Sequence, residues 1–97
     1  MLRIREIENV LKQYKQELKR RFKLKEMGVF GSYLRGEQNK KSDLDILVEF
    51  KEAPGLLEFI EIEEYISKIT GLKVDLVMKK ALKPELKKYI LKEIVYI

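Results

Sequence analysis

Asp43-Leu44-Asp45-Ile46-Leu47-Val48-Glu49-Phe50 reads as a β-strand with acids at its start. Its text alternates at first and becomes continuously apolar in the middle, as in a strand covered on both faces. Asp43 and Asp45 are two apart, so on an extended chain both carboxylates project from one face. Leu44 and Ile46 then point the other way, towards a core. Two carboxylates that close repel each other, and ionising both is costly unless a cation lies between them.

Working back from this strand, Gly36 to Ser42 is polar and turn-rich, a loop. Before it, Met27-Gly28-Val29-Phe30 is a short apolar run that ends at Gly31-Ser32, a buried strand entering a tight turn. Further back, Ile4, Ile7, Val10/Leu11, Tyr14, Leu18 and Phe22 recur at three and four, one stripe of an amphipathic helix. Working forward, Lys51 to Gly55 is a connection. Leu56, Phe59, Ile62, Ile66 and Ile69 mark a second helix that Gly71 can end at C′. Leu72-Lys73-Val74-Asp75-Leu76-Val77 is another strand. Pro84 suits a helix first turn, with Leu86, Tyr89/Ile90 and Ile94 on one face. The order predicts an α/β (α+β) domain spanning residues 1–97, a small mixed β-sheet with helices packed on it. So few strands leave a bare edge or an exposed apolar helix face, which invites a homo-oligomer or a hetero-oligomer with a partner.

Composition narrows the chemistry. The 97 residues include no cysteine and no histidine, which excludes thiolate and Ser/His catalysis, structural zinc and disulfides. Catalysis must use carboxylates, hydroxyls, Lys, Arg, Tyr or an oxygen-held metal. No stretch approaches the roughly 20 apolar residues of a membrane span. The N-terminus lacks an apolar signal core, so a cytoplasmic setting and no membrane partner are expected. The net charge of +5 lies in residues 1–27, nine Lys/Arg against four Glu, while 28–97 balances at twelve of each. Charge runs of this kind are usually solvated faces. No interleaved aromatics or reading module accompany them, so nucleic acid is not an expected partner.

Asp75 lies between Val74 and Leu76 on what should be a neighbouring strand. Paired in register, it would join Asp43 and Asp45 as a third oxygen ligand. An all-oxygen cluster suits Mg²⁺ or Mn²⁺, and two such ions about 4 Å apart can steady the attacking and leaving oxygens of an in-line displacement. Gly31 would let backbone approach a bulky anion, with Ser32 opening a short helix whose free N–H groups face it. Arg35, one turn on, could neutralise phosphate charge, and Ser42 could cap the loop or donate to phosphate.

Gly31-Ser32-Tyr33-Leu34-Arg35-Gly36 followed by Ser42-Asp43-Leu44-Asp45-Ile46-Leu47-Val48 resembles the signature of DNA polymerase β-like nucleotidyltransferases, most closely their minimal nucleotidyltransferase (MNT) branch. The likeness continues through Val74-Asp75-Leu76-Val77, Ala81-Leu82-Lys83-Pro84 and a terminal helix ending Ile94-Val95-Tyr96-Ile97. Leu34 departs from it, since many members have Ala there. The resemblance implies that Gly31 and Ser32 hold the nucleotide triphosphate, that Asp43 and Asp45 bind two Mg²⁺, and that Asp75 activates the attacking hydroxyl. It also implies AMP transfer from ATP, with pyrophosphate release, to a tyrosine of a partner HEPN-domain toxin. The chain would then be the antitoxin of the pair.

Once these elements are assigned, no residues remain for a substrate domain, so the acceptor is expected on a separate protein. The alternatives are an inactive antitoxin that neutralises its partner by binding alone, and a basic nucleic-acid binder using residues 1–27.

Overall fold

The stripe beginning at Ile4 forms α1 (Ile4–Phe22) in the computed structural model, which describes residues 3–97. Ile7, Leu11, Leu18 and Phe22 are its buried positions. Lys23 adopts a left-handed conformation (φ 55°) and turns the chain straight into β1 (Leu24–Phe30). β1 therefore starts three residues before the apolar run at Met27. Leu24 is buried ahead of exposed Lys25 and Glu26, with a register irregularity between Leu24 and Glu26.

A single turn of helix, α2 (Ser32–Arg35), follows β1, and the loop leads to β2 (Leu44–Phe50). Helix α3 (Leu56–Thr70) ends as expected at Gly71, whose left-handed φ of 71° favours glycine and whose N–H donates to Ser67 O at 2.8 Å. β3 (Val74–Met78) runs into a 3₁₀ turn (Lys79–Ala81). Pro84 then opens α4 (Pro84–Glu93) at its first turn.

The chain does not finish in that helix. α4 stops at Glu93, and Val95–Tyr96 form a fourth strand, β4, which corrects the expected terminal helix through Ile97. The sheet order is β3-β2-β1-β4, with β2–β3 parallel and the other pairs antiparallel. It is therefore mixed, as expected. Val95 pairs with Val29 and Tyr96 with Gly28, and Ile97 N–H donates to Met27 O at 2.9 Å. Gly28 has no side chain because Ile94 occupies that space: a Cβ there would lie 2.5 Å from Ile94 Cδ1.

Leu44, Ile46 and Val48 of β2 join Met27 and Val29 of β1, Val74 and Leu76 of β3, and Ile62 and Ile66 of α3 in one core with α1. Tyr65 binds α3 to α1 through edge-on contacts with Tyr14 and Phe22, at 6.2 and 6.0 Å between ring centres. α4 has no buried residue, and Leu86 and Tyr89 are 55% and 74% exposed, as are Leu56 and Leu57 at the start of α3 (75% and 83%). Among the described residues no helix is long and apolar enough to cross a membrane.

Candidate active site

The core face of β2 determines where its acids go. Leu44 and Ile46 are fully buried under the helices, so Asp45 between them must project from the opposite face. The parallel pairing matches Leu44 with Val74, Asp45 with Asp75 and Ile46 with Leu76. Asp75 thus lies directly beside Asp45, one strand spacing away (about 4.8 Å between backbones). Asp43 stands just ahead of β2, with Lys73 Nζ 3.9 Å from its Oδ1. Asp45 is half-buried, and its carboxyl is pushed up to about 6. Burial is the largest cause, followed by the charges of Asp75 and Asp43, while Arg35 opposes them.

On the other side of β2, Phe30 is the antiparallel partner of Asp45. The next residue, Gly31, is buried with φ 83° and ψ −155°, a conformation that side chains resist. A Cβ at this position would overlap Asp45 Oδ2. Glycine is required on both counts, and the backbone is brought against the acid site. α2 begins immediately afterwards. Its first bond runs from Arg35 N to Gly31 O (3.2 Å), so the N–H groups of Ser32, Tyr33 and Leu34 have no helical partner.

Arg35 does not extend freely from this turn. Its Nε donates to Glu37 Oε1 at 3.0 Å and its Nη1 to Glu93 Oε1 and Oε2 at 3.1 and 3.2 Å. Glu93 Oε1 also accepts the Gly31 N–H at 3.2 Å. Ser42 closes the loop before β2: its N–H donates to Asn39 O and its Oγ accepts from Asn39 N–H. The structure therefore brings Asp45, Asp75 and Gly31 together, with Asp43, Ser32 and Arg35 around them and Ser42 engaged in its own loop.

Residues 11–97 match the nucleotidyltransferase domain family. The chain belongs to that family. A Thermococcus cleftensis relative named protein adenylyltransferase MntA is 55% identical over 97 residues, covering 100% of this chain and 98% of its own. A solved structure described as a minimal nucleotidyltransferase superposes with a TM-score of 0.74 at 32% identity, covering 92% of this chain and 93% of the other. A chain from the complex of a tri-AMPylated Shewanella oneidensis HEPN toxin with an MNT antitoxin has a TM-score of 0.68 at 19% identity, covering 93% of this chain and 70% of that one. At such low identity the last likeness is one of fold alone. The fold is the polymerase β-like one of the minimal nucleotidyltransferases, and the chain is an enzyme of the nucleotidyltransferase class.

In this nucleotidyltransferase, Asp43, Asp45 and Asp75 are the residues that could hold a metal. Among the described residues no three acids form a ready-made metal cage. Asp45 beside Asp75, with Asp43 just ahead of β2, could instead supply an open set of oxygen donors. That suits Mg²⁺, which keeps several waters and takes one or two carboxylates along with substrate phosphates. Burial is the main reason the Asp45 carboxyl is raised, and a cation would relieve the smaller part that comes from the charges of Asp75 and Asp43. Glu93 and Glu37, which contact Gly31 and Arg35, were missed by sequence reasoning. Glu93 sits in Lys-rich helical text and reads there as a solvated acid; only its place one residue before the terminal apolar run sets it apart.

Proposed function

We propose that this nucleotidyltransferase is a Mg²⁺-dependent protein adenylyltransferase. It moves AMP from ATP to a tyrosine hydroxyl of a HEPN-domain toxin and so serves as the antitoxin of the pair. The observation that carries the reading is Asp45 beside Asp75 in parallel register, with Gly31 backbone against Asp45. The name of the Thermococcus cleftensis relative and the MNT–HEPN complex support protein adenylylation and the toxin partner.

Gly31 and the free N–H groups of Ser32 and the residues after it receive the triphosphate at a surface with no Cβ in the way. Arg35 has Nε and Nη1 on glutamates, so Nη2 is the nitrogen through which it would meet a phosphate. Asp43, Asp45 and Asp75 would hold two Mg²⁺, with Mn²⁺ as a substitute. When bound, the metal neutralises triphosphate charge and steadies the leaving pyrophosphate. Asp75 accepts the proton of the tyrosine hydroxyl as its oxygen bonds to the α-phosphorus. The bond to the β-phosphate breaks and pyrophosphate leaves. Asp45 and Asp43 keep the reacting groups in line, and most of the catalysis is positioning and charge neutralisation.

A second reading, neutralisation by binding alone, draws on the apolar side chains that α3 and α4 leave exposed, Leu56, Leu57, Leu86 and Tyr89. Co-expression of the HEPN partner with the Asp43→Asn/Asp45→Asn double variant separates the two. Toxicity restored while the complex still forms is the result expected of a transferase. Neutralisation retained would overturn it in favour of binding alone.

A further inference from the structure

We propose that Glu93 is a positioning residue of the nucleotidyl-transfer site: its carboxylate, delivered by the docked C-terminal strand, sets the Gly31 turn and the Arg35 guanidinium in the geometry that receives the triphosphate. The inference rests on the nucleotidyl-transfer reading above and adds to it a residue outside the Gly-Ser and Asp-x-Asp signature.

Glu93 is the last residue of α4, where the helix already presents partial negative charge from its unpaired carbonyls. An acid is disfavoured there unless other contacts compensate. Those contacts are the Gly31 N–H and Arg35 Nη1, and both belong to the turn that follows β1. Hydrogen bonds with a charged acceptor are stronger and more directional than neutral ones, so the carboxylate holds the two donors at a fixed separation.

The residues after Glu93 keep it in place. Ile94 fills the space above Gly28, Val95 pairs with Val29, and Ile97 N–H donates to Met27 O. All three contacts are to β1, the strand that ends one residue before Gly31. Glu93 is therefore referenced to the same strand as the turn it grips. Gly31 in turn is held on two sides, by Asp45 against its Cα and by Glu93 on its N–H. Without the second contact, a glycine at φ 83° has the freedom to reorient the peptide that precedes Ser32.

The opposite role, a carboxylate occupying donors that a phosphate needs, predicts the opposite sign on substitution. Removing a positioning group weakens nucleotide binding, whereas removing a competing anion tightens it.

The test uses the full chain and its partner, with Glu93→Ala and Glu93→Gln. The glutamine variant keeps side-chain volume and an acceptor for Gly31 but loses the charge on Arg35. Glu64→Gln, an exposed acid on α3, is the control. For Glu93→Ala the KM for Mg·ATP is expected to rise about tenfold, the value of one charge-assisted hydrogen bond to the triphosphate lost through misplacement of the turn, with a smaller change in kcat. Glu93→Gln should fall between Glu93→Ala and wild type, and Glu64→Gln should match wild type. In ¹⁵N-labelled protein without nucleotide, the Gly31 amide proton should move upfield in Glu93→Ala. Unchanged or tighter Mg·ATP binding in both variants would overturn the proposal, as would an unmoved Gly31 resonance. Absence of Mg·ATP binding in the wild type would instead defeat the nucleotidyl-transfer reading beneath it, and the Gly31 resonance would still report on the contact.

Discussion

Asp45 and Asp75 are direct partners across the parallel β2–β3 pair, which places two carboxylates side by side at the foot of the Gly31 turn. Neither strand alone makes a site. The strand register does, and the same register buries Leu44, Ile46, Val74 and Leu76 on the other face. A slip of one residue would exchange acids and core, so the hydrophobic packing of the sheet is also what holds the acids together.

Asp75→Asn tests the proposed proton acceptor. Asp75 is exposed and outside the core, so the variant should fold normally. A general base contributes about 10²–10⁴-fold to rate. The single-turnover rate of AMP transfer should fall by that factor, with Mg·ATP affinity reduced far less.

Asp45 makes metal-free stability depend on pH. Its carboxyl keeps a proton up to about pH 6 in the folded protein but only to near its ordinary value, 3.8, when unfolded. Between those values the folded state binds more protons, so stability falls as pH rises. In EDTA, Tm should decline from pH 4 to 6.5 and then level off, and Mg²⁺ should flatten the slope. Asp45→Asn should remove this contribution to the slope. Discounted for solvent screening to about 1 kcal/mol, the substitution should raise Tm at pH 7 by roughly 4–8 °C.

Gly31→Ala and Gly36→Ala separate backbone strain from steric overlap. Both glycines have positive φ, 83° and 71°, but a Cβ at Gly36 meets nothing within 4 Å while one at Gly31 overlaps Asp45 Oδ2. Gly36→Ala should cost about 1 kcal/mol and leave activity near wild type. Gly31→Ala should cost about 2–4 kcal/mol by urea denaturation and remove Mg·ATP binding.

Gly28→Val tests the strap of β4. The new side chain would collide with Ile94 Cδ1 and Cγ1, at 2.5 and 2.6 Å from the position of Cβ, and crowd Val95 O at 3.1 Å. β4 should detach and take Glu93 with it. Mg·ATP affinity should then fall at least as far as in Glu93→Ala, accompanied by faster hydrogen exchange at Ile97 N–H.

Local chemistry explains which features could be seen in the sequence. The stripe from Ile4 to Phe22, the Gly71 stop and the Pro84 start are properties of neighbouring residues, and each reappears in the structure. Asp43, Asp45 and Asp75 stood out because acids interrupt apolar text. Their juxtaposition was conditional on register, which long-range packing decides. β4 escaped because Ile94 continues the α4 periodicity from Ile90, and two residues of strand carry no pattern of their own. The start of β1 was hidden in Lys23-Leu24-Lys25-Glu26, whose polarity suits an exposed turn until Leu24 is seen to be buried. Glu93 acquires its meaning only from Gly31 and Arg35, about sixty residues away in the chain.

The most direct measurement is intact-protein mass spectrometry of the HEPN partner after incubation with this protein, ATP and Mg²⁺. One or more adenylyl groups on the partner, absent with Asp43→Asn/Asp45→Asn, is the predicted result. A stable complex whose partner gains no mass would contradict nucleotidyl transfer as the means of neutralisation.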